Sequence, residues 1–169
     1  MKLMFILKKY HHGFTLMEML VVLVIIGILA AIAMPSVQTG MIRKQIETAM
    51  TLTDIAKKPI EIAWTTNQVF LATNEQSGLP PAEKIVSNLV SSLKIEDGTI
   101  NITFGNHAHH LLVGKVLTLR PAVVPDASIV PIAWVCASAE GPDKMTIHGS
   151  NKTTVPVAYL PSLCHSSKP

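Results

Sequence analysis

The 169-residue sequence lacks the local motifs on which several enzyme and nucleotide-binding classes depend. It contains no glycine-rich phosphate-binding loop and no nucleophile elbow, so neither nucleotide binding nor hydrolase chemistry of those kinds is predicted. It also lacks an internal repeat, which excludes a repeat array within one polypeptide. These absences predict no cofactor, and they leave no motif on which an enzymatic activity could be predicted.

Excess positive charge is absent outside the first thirteen residues. The chain has 14 Lys and Arg against 11 Asp and Glu, a formal net charge of +3. Lys2, Lys8 and Lys9 account for the whole excess, and the remainder of the chain is near neutral. Overall basicity therefore gives no argument for nucleic-acid binding, and no direct nucleic-acid site is identifiable.

Three closely spaced histidines, His107, His109 and His110, are candidate metal ligands. These histidines lie in a predicted turn flanked by Gly and Asn, and they lack a fourth ligand at a recognisable spacing. A solvated loop is predicted here, and no metal site.

One long hydrophobic run is present, at residues 14–34. As an α-helix it would span roughly 32 Å, about the thickness of one bilayer core. Glu18 is its single carboxylate, and an unpaired charge below the membrane surface is costly enough that a partner is expected. Alternatively, Glu18 marks the interfacial edge of a signal anchor.

A basic leader, residues 1–13, precedes the run and ends in Gly13. In an ordinary secretory signal the apolar region precedes the cleavage site and is discarded. A cut after Gly13 would instead leave the apolar helix on the mature protein, with Phe14 as the new amino terminus. Basic residues ahead of the helix favour a cytoplasmic leader and an exported carboxyl end.

Gly13 before the cut, Phe14 at the first mature position, Glu18 at the fifth and the apolar helix together resemble the type IV pilin family. The resemblance implies removal of residues 1–13 by a membrane prepilin peptidase, methylation of the Phe14 amine, and assembly into a helical filament. In a filament core without water, Glu18 would need a cation, and the Phe14 amine of a neighbouring copy is the nearest type of group. Phe14 and Glu18 are also four residues apart on one helix face, so an intramolecular pair is open as well.

Residues 35–63 continue the helix as an amphipathic half. Pro35 predicts a kink, and Pro59 predicts a kink or a helix end near Lys58. Apolar positions at helical spacing predict one face that packs on a globular head, residues 64–169. They are Ile42, Ile46, Ala49, Met50, Leu52, Ala56, Ile60 and Ala63.

The head reads as a short helix followed by strands. Helical spacing predicts a helix over residues 82–92. Strands are predicted at residues 94–96 and 99–104, joined by a tight turn at Asp97-Gly98, and again at residues 116–119 and 132–135. The order indicates an α+β fold, with a long N-terminal membrane-spanning helix packed on an antiparallel sheet.

Four head segments look like the heads of Gram-negative type IVa major pilins: residues 99–106, 117–121, 131–136 and 159–164. Cys136 and Cys164 lie in the part expected to be exported, where a disulfide can form, although two buried free thiols are the alternative. The pilins that this chain resembles carry such a C-terminal disulfide loop. The chain departs from the family at two places. One is the loop at residues 64–79, and the other is an apolar patch at residues 3–7. This patch leaves Met4 as an alternative first residue of the chain.

The expected function is that of a structural subunit of a type IV pilus serving adhesion, twitching motility or DNA uptake. Expected partners are further copies of the chain, a prepilin peptidase and methyltransferase, the inner-membrane assembly machinery, and the inner membrane itself. The chain would cross that membrane once, with its head in the periplasm, and later lie in an extracellular pilus.

Two alternatives remain. A minor pilin or a type II secretion pseudopilin shares the processing site and the helix. A signal-anchored periplasmic enzyme or binding module shares the basic leader and the helix, but it would not need Gly13 and Glu18.

Overall fold

The computed structural model describes residues 13–166. They divide into two compact units, one ending at Val37 and the other beginning at Gln38. The first unit is the N-terminal part of helix α1 (Leu16–Met50). The predicted leader lies outside the described residues, apart from Gly13.

In the second unit, the last turns of α1 lead through a 3₁₀ turn (Thr51–Thr53) into helix α2 (Asp54–Asn67). One face of these helices is buried in the same hydrophobic core as the sheet, which confirms the predicted apolar face. Buried helix positions recur every three or four residues, the spacing that places side chains on one side of a helix. They are Ile42, Ile46, Ala49, Thr53, Ala56, Ile60 and Trp64.

Pro59 lies inside α2, which continues to Asn67. Of the two alternatives predicted near Lys58, a kink or a helix end, the helix end is therefore wrong. Proline removes one backbone donor from a helix. Ala56 and Ile60, on either side of it, are nevertheless completely buried, and this burial stabilises the helical conformation through Pro59. The helix regularity is interrupted earlier, at Thr51–Thr53.

The head contains one antiparallel sheet. Its strands are β1 (Val90–Glu96), β2 (Thr99–Phe104), β3 (Val116–Val123), β4 (Ala133–Cys136) and β5 (Thr146–Ile147). They lie in the order β1-β2-β3-β4, and the short β5 also pairs with β3. This arrangement confirms the predicted α+β fold.

The helix expected over residues 82–92 is wrong. Only Ala82–Lys84 form a 3₁₀ turn, and the chain then enters β1. Val90 and Leu93 are buried, opposite Phe104 and Ile102 of β2. The spacing of apolar residues in a short run is compatible with a helix or with a strand. Here the contacts with side chains of β2 stabilise the strand.

Asp97 and Gly98 form the predicted tight turn between β1 and β2, with φ values of 46° and 75°. Two successive positive φ values are typical of the type I′ turn, which matches the twist of a two-stranded ribbon. Gly98 also lies under the Phe70 ring, where an added Cβ would come within 2.6 Å of a ring carbon. Both constraints favour glycine at this position.

Asn74 anchors the long loop between α2 and β1. Its Nδ2 donates to the Leu93 carbonyl at 2.8 Å and to the Pro80 carbonyl at 3.2 Å, and its Oδ1 accepts from the Ile95 N–H at 2.6 Å. The side chain thereby covers the outer edge of β1 at Leu93 and Ile95, which an open edge strand would expose to pairing with another chain.

Candidate assembly site

Thr15 caps the N-terminus of α1. Its Oγ1 accepts a hydrogen bond from the Glu18 N–H at 3.2 Å, and its carbonyl accepts from the Met19 N–H at 3.2 Å. Thr15 and Glu18 thus occupy the first and last positions of a capping-box sequence. The predicted site residues do not include Thr15, although the Thr-x-x-Glu spacing that marks such a cap is visible in the sequence.

The Glu18 side chain is exposed in the first turn of α1. A negative charge is favourable there because it faces the positive end of the helix dipole. Among residues 13–166, no Lys, Arg or His lies within salt-bridge distance of its carboxylate. The structure therefore gives Glu18 no cationic partner within the described chain, and its pairing with the Phe14 amine stays a prediction.

The apolar part of α1 is exposed on every side. All residues from Leu16 to Ile32 are exposed, and even Val22, the least accessible of the large side chains there, keeps 41% of its surface. The helix is long and apolar enough to cross a membrane. A helix that is apolar all round is stable among lipid or among other apolar surfaces. This segment therefore requires such cover.

Cys136 and Cys164 form a disulfide with an S–S distance of 2.01 Å, which confirms the predicted pair. Cys136 ends β4, and Cys164 lies in a 3₁₀ turn (Ser162–Cys164). Both residues are buried, so the bridge closes the C-terminal loop from inside the core.

The disulfide loop is also hydrogen-bonded to β3. The Thr154 N–H donates to the Val116 carbonyl at 2.8 Å, and the Thr118 N–H donates to Thr153 Oγ1 at 3.1 Å. The Lys152 N–H donates to Thr118 Oγ1 at 3.0 Å. The loop is therefore an extension of the sheet's hydrogen bonding and not a free surface segment.

Glu96 joins this loop to β1 and β2. Its Oε2 accepts from Lys152 Nζ at 2.6 Å and from Asn101 Nδ2 at 3.0 Å, and its Oε1 lies 2.8 Å from Lys94 Nζ. Hydrogen bonds from Lys152 and then Lys94 hold the pKa of the Glu96 carboxyl below its usual value. The ionised form of Glu96 is thus favoured by folding.

We expect acid to weaken the head through Glu96. Since folding lowers the pKa of Glu96, its contribution is complete above about pH 4.5, the ordinary value, and is lost as the pH falls through the lowered folded pKa. The pairs are partly exposed, so the contribution is about 1 kcal/mol or less. Thermal unfolding of wild type and Glu96→Gln between pH 3 and 7, roughly the range of carboxyl titration, should show curves that converge at low pH.

Glu75→Gln is the matched control, because Glu75 is exposed and makes no ion pair among the described residues. A stability difference between wild type and Glu96→Gln that stays constant down to the lowest pH would contradict the role of the Glu96 charge.

The disulfide should contribute more to the stability of the head than the ion pairs of Glu96 do. Cys136→Ser is expected to lower the free energy of unfolding of the head by about 2 to 5 kcal/mol, since it releases a long loop in the unfolded chain. Nonreducing peptide mapping should recover one linked peptide pair from the wild type and none from the variant. Wild type treated with reductant is the control and should unfold like Cys136→Ser, whereas native thiols that react fully with a maleimide would contradict the bridge in the exported protein.

The predicted histidine turn lies beside α1. The His109 N–H donates to Gln45 Oε1 at 2.8 Å, and the rings of His109 and His110 are 4.2 Å apart. Within residues 13–166, no cluster of three or more His, Cys, Asp or Glu is arranged to hold a metal ion. The hydrogen bond from His109 to Gln45 joins this turn to α1.

Two family models match the chain. One, described as pilin (bacterial filament), matches residues 43–165, and the other, described as a prokaryotic N-terminal methylation motif, matches residues 8–34. The first covers the second half of the helix and almost the whole head. The second covers the end of the predicted leader and the apolar segment.

Curated relatives match over most of their length. The type IV major pilin protein PilE of Neisseria gonorrhoeae is 27% identical over 167 residues, which cover 95% of this chain and 98% of the relative. The fimbrial protein EcpC of Eikenella corrodens is 30% identical, with 95% of each chain covered. The type IV major fimbrial protein FimA of Dichelobacter nodosus is 31% identical over 150 residues, 78% of this chain and 92% of the relative.

Proposed function

This chain belongs to the pilin family of bacterial filament proteins, and we propose that it is a structural subunit of a type IV pilus. The observation that carries the proposal is a disulfide-closed head on a chain whose residues 16–32 form an apolar helical segment exposed on every side. Such a helix gives the chain a place in a membrane and, later, among the helices of other copies. Adhesion, twitching motility or DNA uptake is then a property of the filament, and no residue is assigned a catalytic role.

The proposed maturation is cleavage between Gly13 and Phe14, followed by methylation of the Phe14 amine. The match of the N-terminal methylation motif to residues 8–34 supports it. Gly13, Phe14 and Thr15 precede the first helical residue, Leu16, and are not part of regular structure. A peptide bond outside regular structure is more accessible to a peptidase than one inside a helix.

The proposed assembly contact is an ion pair between Glu18 of one copy and the Phe14 amine of another. It is supported by the exposed position of the carboxylate and by the lack of a cationic partner for it within residues 13–166. In a water-free filament core an unpaired carboxylate would be strongly unfavourable. The pair would therefore also hold neighbouring copies at the axial offset that brings Glu18 to the Phe14 amine. Before assembly, the apolar segment would lie in the inner membrane with the head in the periplasm.

Mass spectrometry of filaments sheared from the cell surface tests this function. The expected result is an abundant chain that begins with N-methylated Phe14 and lacks residues 1–13. A chain found only in membranes, or a mature chain that begins elsewhere, would contradict the pilus assignment. A methylated chain present at trace levels beside another abundant pilin would identify a minor pilin instead.

A further inference from the structure

The loop between β2 and β3, residues 105–115, holds two apolar side chains at the surface. Leu111 and Val113 are 39% and 52% exposed, and Leu112 between them is completely buried. The Lys115 N–H donates to the Leu112 carbonyl at 2.8 Å. Because Leu112 is anchored in the core and its carbonyl is hydrogen-bonded, Leu111 and Val113 are held outward in a defined turn.

The loop and the two strands that flank it carry no negative charge. Asp97 and Asp126 are the nearest acids before and after them in the chain. Lys115 is exposed two residues after Val113. We call Leu111, Val113 and Lys115 the loop patch. Exposed apolar side chains beside a cation suit the boundary between acyl chains and anionic lipid headgroups, where apolar burial and electrostatic attraction both contribute to binding.

The loop patch lies at the end of the head where the chain enters it, after Gln38. In the same loop, the His109 N–H donates to Gln45 Oε1 at 2.8 Å. Towards the other end of β3, its partner residue Trp134 on β4 donates from Nε1 to Glu61 Oε1 at 2.9 Å. Gln45 and Glu61 are sixteen residues apart, roughly 24 Å of helix. The loop is therefore close to the start of the second unit, and the opposite end of the sheet is far from it.

A further apolar side chain lies at the same end of the head. Arg43 Nη2 donates to the Ala158 carbonyl at 3.0 Å, which brings the C-terminal segment to this part of α1. Val157, the preceding residue, is 62% exposed. The loop patch is thus accompanied by a second exposed apolar position and a second cation.

The charge at this end of the head is positive. Neither Arg43 nor Lys115 forms an ion pair within residues 13–166. The nearest acid along α1, Glu47, lies 3.5 Å from Lys44, and these two charges offset each other. Two cations therefore remain without a carboxylate partner in the part of the chain that the structure describes, and an anionic surface would complement them.

We propose that the loop patch binds the anionic phospholipid surface of the membrane in which the same chain is anchored. This inference rests on the proposed function, in which the apolar segment of α1, residues 16–32, lies in the inner membrane before assembly. Nine residues separate Ile32 from Ile42, which is buried in the head. Even fully extended, this tether is at most roughly 35 Å long. A short tether gives the loop patch a high effective concentration at the lipid surface, so a small patch is sufficient for binding.

Photo-crosslinking in the full-length chain tests the contact. Benzoylphenylalanine would replace Val113 in one variant and Ile129 in a matched control, with each chain reconstituted in vesicles of phosphatidylglycerol and phosphatidylethanolamine. Ile129 is also an exposed apolar loop residue, 91% accessible, but it lies between β3 and β4, at the opposite end of β3. We expect at least about tenfold more lipid adduct from position 113 than from position 129, because only the first lies on the proposed lipid-binding surface.

Equal lipid adduct from the two positions would overturn the inference, as would adducts from position 113 to protein alone. Nonreducing peptide mapping should find the Cys136–Cys164 peptide pair in both variants, which confirms that the head is folded. The readout is lipid adduct in vesicles and not filament yield. A chain that inserts but gives no lipid adduct at position 113 therefore contradicts only this inference, whereas a chain that does not insert through residues 16–32 contradicts the proposed function.

Lys115→Glu tests the part of the charge, with Lys58→Glu as its matched control. Lys58 is exposed on α2, outside the loop patch, and makes no ion pair within residues 13–166. With the probe at position 113, Lys115→Glu should lower the yield of lipid adduct at least about fivefold, since it replaces attraction to the anionic headgroups by repulsion. Lys58→Glu should leave the yield unchanged. A yield that survives Lys115→Glu, or that is the same in vesicles of phosphatidylcholine alone, would overturn the assignment of an anionic surface.

Discussion

Glu18→Ala is expected to leave the chain cleaved, inserted in the membrane and folded, yet absent from surface filaments. If the carboxylate pairs with the Phe14 amine of a neighbour, its removal leaves a buried cation without a partner, at roughly 3 to 5 kcal/mol per interface. If Glu18 only marks the membrane edge, the same change removes a charge from hydrocarbon and relieves about 2.5 to 3.5 kcal/mol. The two interpretations therefore predict opposite signs, and quantifying the chain in sheared filaments and in membranes separates them.

Glu18→Gln distinguishes the charge from the helix cap. Glutamine is as acceptable as glutamate at the last position of a capping box, so it preserves the Thr15 cap and removes the charge. An ion-pair role predicts that Gln fails to assemble as Ala does. Filaments at the wild-type level from Glu18→Ala, at equal expression and with no second pilin substituting, would show that the carboxylate does not direct assembly.

Thr15→Ala supplies the reciprocal control. It keeps the Glu18 charge and removes the hydroxyl that caps α1, a change that costs about 1 kcal/mol of helix stability. A smaller loss of filaments from Thr15→Ala than from Glu18→Gln would assign the main effect to the ion pair.

The features that sequence alone could predict are those whose physical cause is local. The apolar run that forms the first part of α1 lies within one short stretch, and the Asp97-Gly98 turn is specified by its own two residues. The disulfide is predictable for another reason: Cys136 and Cys164 lie in the part expected to be exported, where thiols can oxidise.

Prediction from the sequence fails where distant residues decide the local structure. The run at residues 82–92 has helical spacing, but Val90 and Leu93 lie opposite Phe104 and Ile102, which a local pattern does not contain. Pro59 predicts a disturbance of α2, but burial of its neighbours Ala56 and Ile60 keeps the helix continuous.

The Glu96 network could not be predicted for the same reason. Lys152 is 56 residues from Glu96 in the chain, and the loop that contains it is brought to the sheet through β3 and the disulfide. A carboxylate and a lysine so far apart give no sequence pattern. Their contact is therefore a product of the fold.

Gly13→Val is expected to abolish maturation, so that residues 1–13 stay attached. A Cβ at Gly13 would meet no atom within 4 Å, so a larger side chain is compatible with the structure of the chain itself. Any loss of cleavage would then report on a peptidase that accepts only a small residue before the cut. Mass spectrometry of membranes should find the precursor alone.

The consequences of Gly13→Val extend to assembly. Without cleavage there is no free Phe14 amine to be methylated, and Glu18 of a neighbouring copy would lose its proposed cation, so filaments should be absent. Gly13→Ala is the matched control: its side chain is small, and cleavage should persist at least in part. Mature protein beginning at Phe14 in Gly13→Val, or beginning elsewhere in the wild type, would show that the leader does not end at Gly13.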